Sequence, residues 1–107
     1  DEVPANASTA TGRGTIVFDS TTRDILIAYV THNVVGTTVA HIHTGAPGVS
    51  GPPNVVTLTQ GTGVYSAPNA SNLSAQSVTD LNAGNTYFNV HSATIPAGEI
   101  RGQIAVQ

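Results

Sequence analysis

The stretch TTVAHIH, residues 37–43, is followed directly by TGAPGVSGPP, residues 44–53. In the first stretch Ala40 and Ile42 alternate with His41 and His43, which is the two-residue period of a β-strand with one face in a core. The second stretch contains three Gly and three Pro in ten residues, a composition that excludes a helix or an inner strand and predicts a surface loop. Because long loops without secondary structure are often functional, the end of this strand is the first candidate site.

The same alternation recurs along the chain and is interrupted by turn residues. Predicted strands cover 15–19, 24–31, 37–43, 55–58, 63–66, 87–91 and 100–106. A short helix is predicted over 74–83, with Ser74 as N-cap and Gly84 as the αL residue that ends it. The strand at 24–31 is apolar on both faces, so we expect it in the middle of a sheet. With about seven strands and at most one short helix, the sequence predicts an all-β fold, an antiparallel Greek-key β-sandwich.

Length and composition exclude several classes of protein. A chain of 107 residues predicts one domain, 1–107. Charged residues make up only 8% of it, against roughly 25% in an average soluble protein. Three Arg, no Lys and a net charge of −3 speak against nucleic-acid binding through phosphate contacts. The absence of Cys excludes disulfides, thiolate metal sites and a Cys nucleophile.

The compartment is predicted from the same composition. No run of about 18 apolar residues is present, so no membrane span is predicted. The lack of Lys and Cys, together with many Thr, Ser and Asn residues, is typical of a secreted, periplasmic or cell-surface protein. Whether the chain is part of a larger protein, its oligomeric state and any protein partner stay open.

The histidines are the residues that point to chemistry. His41 and His43 are two apart, so on a strand they face the same side with Cα atoms roughly 6.5–7 Å from each other. His91 ends another predicted strand with the same pattern of inward apolar and outward polar side chains. If the two strands are neighbours, these three imidazoles form a cluster. His32 closes the strand at 24–31 and is the candidate fourth ligand. The alternatives are that it donates a hydrogen bond to one of the ligands or that it is merely exposed.

A cluster of imidazoles without sulfur ligands suits Cu(II) or Zn(II). Copper is the first choice, because Cu(II) binds a given nitrogen site more tightly than Zn(II) does, and zinc is the alternative. Glu99 and Arg101 are the other charged candidates. They form a surface ion pair in one interpretation. In the other, Glu99 orients a ligand histidine and Arg101 draws anions to the metal.

Several motifs together resemble the CHRD domain, a module named from chordin and common in secreted microbial proteins. They are EVP at 2–4, HIHTGAPG at 41–48 with GP at 51–52, AGNTYFNVH at 83–91 and PAGEIRGQI at 96–104. The resemblance implies an extracellular setting, since the domains of chordin belong to an extracellular protein that binds growth factors. His32 lies outside the shared motifs.

A weaker likeness is to copper/zinc superoxide dismutase, which is also a Greek-key sandwich. That enzyme has an H-x-H pair of copper ligands, a later His ligand and an Arg near the copper. By analogy His41, His43, His91 and Arg101 would take those parts. This chain departs from that enzyme because it lacks the disulfide and the zinc-loop ligands.

Three functions follow from these residues. The first is a metal-binding module that stores, carries or buffers copper. The second is a metal-free extracellular module for adhesion or protein interaction, in which the histidines are hydrogen-bonded residues that hold the Gly/Pro loop. The third is a dismutase-like copper enzyme, which ranks lower because no general base is evident beside the histidines.

Overall fold

A computed structural model describes residues 6–67 and 71–105. Within them, in chain order, lie β1 (Gly12–Phe18), β2 (Ile25–His32), β3 (Thr37–Thr44), β4 (Val56–Gly61), β5 (Val64–Ser66), α1 (Ala75–Asn82), β6 (Thr86–Ser92) and β7 (Ile100–Gln103). Each predicted strand and the predicted helix is present. The last strand is shorter than predicted, because β7 ends at Gln103 and residues 104–105 are not in a strand. The predicted end at residue 106 lies outside the described residues.

The strands form an antiparallel sheet in the order β1-β2-β5-β4-β3-β6-β7. The first half of β4 pairs with β3 and its second half pairs with β5. Strand β4 therefore passes from one layer to the other, and the two halves of the sheet pack face to face as a sandwich. The run β2-β5-β4-β3 has Greek-key order, because three strands joined by consecutive turns are flanked by the strand that precedes them. The predicted fold class is confirmed.

The core lies between the two layers. It is formed by buried apolar side chains from both of them, among them Val30, Ile42, Tyr65 and Val90. Ile42 is completely buried, as expected of the residue between two candidate ligands. Burial of this side chain fixes which way the rest of β3 faces, because successive strand residues point to opposite sides of the sheet.

The prediction for β2 is only partly right. The strand lies between β1 and β5, as expected for an inner strand, but only one of its faces is buried. Ala28 and Val30 are buried, whereas Ile27 on the opposite face is 52% exposed, because in a sandwich each antiparallel layer covers one face and leaves the other to solvent. Leu26, which is 65% exposed, has a different cause: the pairing of β2 with β1 passes from Ile27 to Ile25 and skips Leu26, so Ile25 packs against the core in its place.

Strand β6 departs from prediction in the opposite sense. Every one of its residues is buried, although the sequence pattern had its polar residues facing outward. The second face is covered by two loops: the Tyr87 hydroxyl contacts Gly51 of the Gly/Pro loop, and the His91 ring contacts Pro96. This cover encloses the candidate histidines.

The helix is bounded as its sequence predicts. Ser74 is the N-cap, and its hydroxyl oxygen accepts a hydrogen bond from the Ser77 amide at 3.0 Å. Gly84 follows the helix with φ of 75°, a conformation that favours glycine. The described part of the chain contains no helix that has both the length and the apolar character needed to cross a membrane.

Candidate metal centre

Three of the four histidines meet on one face of the β3–β6 pair. His41 lies opposite Asn89, His43 lies opposite Tyr87, and His91 lies opposite Val39. Residues opposite each other in a sheet share a face, so His91 is the diagonal neighbour of His41. His41 Nδ1 lies 3.2 Å from His91 Nε2, and one ligand atom from each of the three residues lies within 4.8 Å of the other two. The predicted cluster therefore forms.

A backbone carbonyl fixes the tautomer of His43. Its Nδ1 lies 2.8 Å from the Gly51 carbonyl oxygen. Because a carbonyl oxygen only accepts, Nδ1 carries the proton and Nε2 keeps a lone pair. That Nε2 is buried and has no hydrogen-bond partner. An unsatisfied buried acceptor is costly, and here it is the nitrogen that remains for a metal ion.

His91 is oriented in the same way by a carbonyl of the loop between β6 and β7. Its Nδ1 donates to the Pro96 carbonyl oxygen at 2.9 Å, which leaves the lone pair of Nε2 directed at His41 Nδ1. Without a metal, His41 Nδ1–H donates to His91 Nε2 across this gap. For His41 Nδ1 to bind a metal ion, its ring would have to adopt the other neutral tautomer, with the proton on Nε2. A ring N–H bonded to a backbone carbonyl is the usual arrangement behind a metal-ligating histidine.

Burial favours the neutral form of two of the three histidines, His41 and His43. It is the main cause that lowers the pKa of His41 and of His43 below the ordinary histidine value. The neighbouring imidazoles act in the same direction, because a second positive charge nearby would be repelled. For His43 the hydrogen bond to Gly51 raises the pKa and so partly offsets the burial. Neutral imidazole is the form that binds metals.

The family of the chain follows from its match to a family model. The model of the CHRD domain matches residues 1–104 of the 107. The chain belongs to the CHRD domain family. CHRD domains occur in extracellular proteins. No curated protein and no solved structure matches the chain.

His32 of this CHRD domain is not brought to the cluster. It lies on β2, which pairs with β1 and β5 and with neither of the strands that carry the other three. Its Nδ1 accepts a hydrogen bond from the Val34 amide at 3.1 Å, and its ring lies against Tyr65 with centroids 5.6 Å apart. Burial lowers its pKa. The candidate fourth ligand thus lies in another part of the sandwich.

Glu99 and Arg101 do not pair among the described residues. The two oxygens of Glu99 accept hydrogen bonds from the hydroxyls of Ser8 and Ser92, both at 2.7 Å, and these bonds lower the pKa of its carboxyl. The His91 ring is oriented by a carbonyl and not by this carboxylate. Arg101 donates to the carbonyl oxygens of Val49 and Ala46 at 2.8 and 3.0 Å, so its guanidinium is engaged with the loop.

Three site residues of the CHRD domain were missed by the sequence interpretation: Gly51, Pro96 and Tyr87. The Tyr87 ring stacks on His43 with centroids 4.8 Å apart, and its hydroxyl accepts from the Gly51 amide at 3.1 Å. The signal for Tyr87 was its shared strand face with His91. Gly51 and Pro96 act through backbone carbonyls, for which the only signal was their position in loops that follow the ligands.

Proposed function

We propose that this CHRD domain is a copper-binding module of an exported protein and that it stores, carries or buffers Cu(II) through His41, His43 and His91. The observation that carries the proposal is the 3.2 Å separation of His41 Nδ1 and His91 Nε2 beside the unpartnered Nε2 of His43. Metal–nitrogen bonds are about 2.0–2.1 Å long, so two nitrogens on one ion lie roughly 3 Å apart. A secreted, periplasmic or cell-surface location would suit such a module.

The donor set supports copper ahead of zinc. All three candidate ligands are imidazoles, and at a nitrogen site the affinity order places Cu(II) above Zn(II). Zinc remains the alternative metal because three histidines with one open position also suit zinc.

The surroundings favour binding over turnover. The cluster consists of histidines alone among the described residues, and the outer nitrogens of His43 and His91 are occupied by backbone carbonyls. No carboxylate belongs to it as a general base, and Arg101 is bonded to the loop. These contacts support a carrier more than a dismutase-like enzyme.

The metal-free interaction module has one observation in its favour. His43 and His91 each bind a loop carbonyl, as histidines with a purely structural role would. Such a role leaves the buried His43 Nε2 without a partner, and an unsatisfied buried group costs about 1–3 kcal/mol. A metal ion removes that penalty, so metal binding is the preferred function.

The test is a titration of the metal-free protein with Cu(II) and with Zn(II). Affinities are measured by calorimetry and by competition with a chelator. We expect one Cu(II) per chain with sub-micromolar affinity, weaker Zn(II) binding, and strong loss in His41→Ala and His91→Ala. His32→Ala is the matched control and is expected to bind as the wild type does. Wild-type binding no tighter than micromolar, or equal binding by the cluster variants, would refute the proposal. Superoxide turnover by the copper-loaded protein above that of free copper would favour the dismutase-like enzyme over the copper carrier.

A further inference from the structure

Side chains from β7 fasten the Gly/Pro loop over the cluster. Arg101 donates from Nη1 to the Val49 carbonyl at 2.8 Å and from Nη2 to the Ala46 carbonyl at 3.0 Å. The neighbouring Gln103 donates from Nε2 to the Gly45 carbonyl at 2.8 Å and accepts from Arg101 Nη2 at 3.1 Å. Three hydrogen bonds to carbonyls of the loop therefore come from a single short strand.

Tyr87 connects the Arg101 side chain to the histidine cluster. The guanidinium carbon of Arg101 lies 3.5 Å from the centroid of the Tyr87 ring, a distance typical of a cation–π contact. The Tyr87 ring in turn stacks on His43, and its hydroxyl lies 3.2 Å from His43 Nδ1. The same hydroxyl accepts from the Gly51 amide. Arg101 thus contacts both the loop and the aromatic ring that meet at His43.

We infer that Arg101 is a positioning residue of the metal centre, which holds the Gly/Pro loop and Tyr87 so that the Gly51 carbonyl keeps the proton of His43 on Nδ1 and leaves Nε2 for the ion. The inference rests on the proposed function for its metal. It gives Arg101 a geometric role, in contrast to the role of drawing anions to the metal that the sequence interpretation offered for it. The contact chain runs from Arg101 through the loop to Gly51 and from there to His43.

The shape of the side chain separates these two roles. A guanidinium is a planar fork that donates to two acceptors while it stacks on a ring, whereas a lysine ammonium is a point charge that does neither in the same way. Anion steering depends on charge and would survive replacement by lysine. The positioning role, called the clamp below, depends on the planar guanidinium and would be lost on replacement by lysine.

The test compares Arg101→Lys and Arg101→Met with Arg13→Lys, an exposed arginine on β1, as the matched control. We expect both Arg101 variants to lose about 10- to 100-fold in Cu(II) affinity, the usual effect of removing an outer-shell partner, with the control unchanged. Nitrogen NMR of the metal-free proteins supplies a second readout. The wild type should show His43 protonated on Nδ1, and the Arg101 variants should show a mixture of tautomers.

The outcomes separate the clamp from the copper proposal. Wild-type affinity and an unchanged His43 tautomer in Arg101→Lys would overturn the clamp. If the wild type fails to bind copper, the proposed function fails, and the tautomer measurement still decides the clamp. Should Arg101→Met not fold, Arg101→Gln and Arg101→Lys take its place; a folded variant of either kind with wild-type copper affinity and an unmixed His43 tautomer would also overturn the inference.

Discussion

The histidine cluster and the region around His32, at the end of β2, show how the direction of one hydrogen bond separates two kinds of histidine. His43 Nδ1 and His91 Nδ1 each donate to a backbone carbonyl, so their Nε2 atoms keep lone pairs that a metal can use. His32 Nδ1 instead accepts from the Val34 amide, so in the neutral ring its Nε2 carries a proton. That Nε2 is buried without a partner as well, but it is a donor and not a ligand.

The contrast shows that a buried, unpartnered ring nitrogen is not enough to indicate a metal site. The partner of the other nitrogen decides whether the lone pair is available. We therefore expect metal affinity and fold stability to separate between the two regions, and four predictions test that separation.

The largest expected effect is the loss of copper binding in a variant of the cluster. His43→Ala removes the candidate ligand whose Nε2 has no hydrogen-bond partner. We expect Cu(II) affinity to fall by more than about 100-fold, beyond the effect of losing a residue that only orients a ligand. Calorimetric titration measures it. Unchanged affinity would remove the basis for calling the cluster a metal site.

A change in the loop should affect both properties. A Cβ added at Gly51 would collide with the carbonyl oxygen of Thr44, so in Gly51→Ala the loop must move and carry its carbonyl away from His43. We expect destabilisation of about 1–3 kcal/mol by chemical denaturation and a 10- to 100-fold loss in copper affinity, roughly as for other outer-shell partners. Gly102→Ala is the control, because an added Cβ there meets no atom within 4 Å. Equal behaviour of the two variants would argue against the loop as a support of the site.

In the region around His32 we expect a loss of stability without a loss of copper affinity. His32→Ala leaves the buried Val34 amide without its acceptor, so the free energy of unfolding should fall by about 1–3 kcal/mol. Copper affinity should stay at the wild-type value. A clear loss of affinity in a folded His32→Ala protein would mean that the two regions are not independent.

The smallest expected effect is on the pH dependence of stability. Burial lowers the pKa of His41 and His43 below the ordinary value of 6.5. Below pH 6.5 the unfolded chain therefore binds more protons than the folded one, and stability falls as the pH drops through this value. Thermal melts of the metal-free protein should show Tm falling between pH 7 and pH 5, and the slope should be shallower in His43→Gln. A flat profile in the wild type would contradict the pKa directions.

Most of the fold could be predicted because its pattern is local. The alternation around Ile42 defines β3, and Ser74 with Gly84 defines the ends of the helix, since each depends only on residues nearby in the chain. Burial beyond that pattern was harder to predict. The exposed Ile27 and the doubly buried β6 depend on which loops and layers cover a strand, and the exposed Leu26 depends on a shift in the pairing of β2 with β1. Those contacts are distant in sequence.

The three histidines of the candidate site could be predicted from the sequence, whereas the groups that orient them could not. His41, His43 and His91 are identified by residue type and spacing, although the pairing of β3 with β6 that unites them is non-local. The atoms that orient them are carbonyls of Gly51 and Pro96, and every residue has such a carbonyl. Residue identity therefore carries no information about which one is used.

The most direct test of the central claim is pulsed electron paramagnetic resonance of the protein loaded with one equivalent of Cu(II). If His41, His43 and His91 bind a single ion, the spectrum will contain couplings from three imidazoles. One of these will be missing in His91→Ala, and all will remain in His32→Ala. Identical spectra from the wild type and His91→Ala would contradict the account.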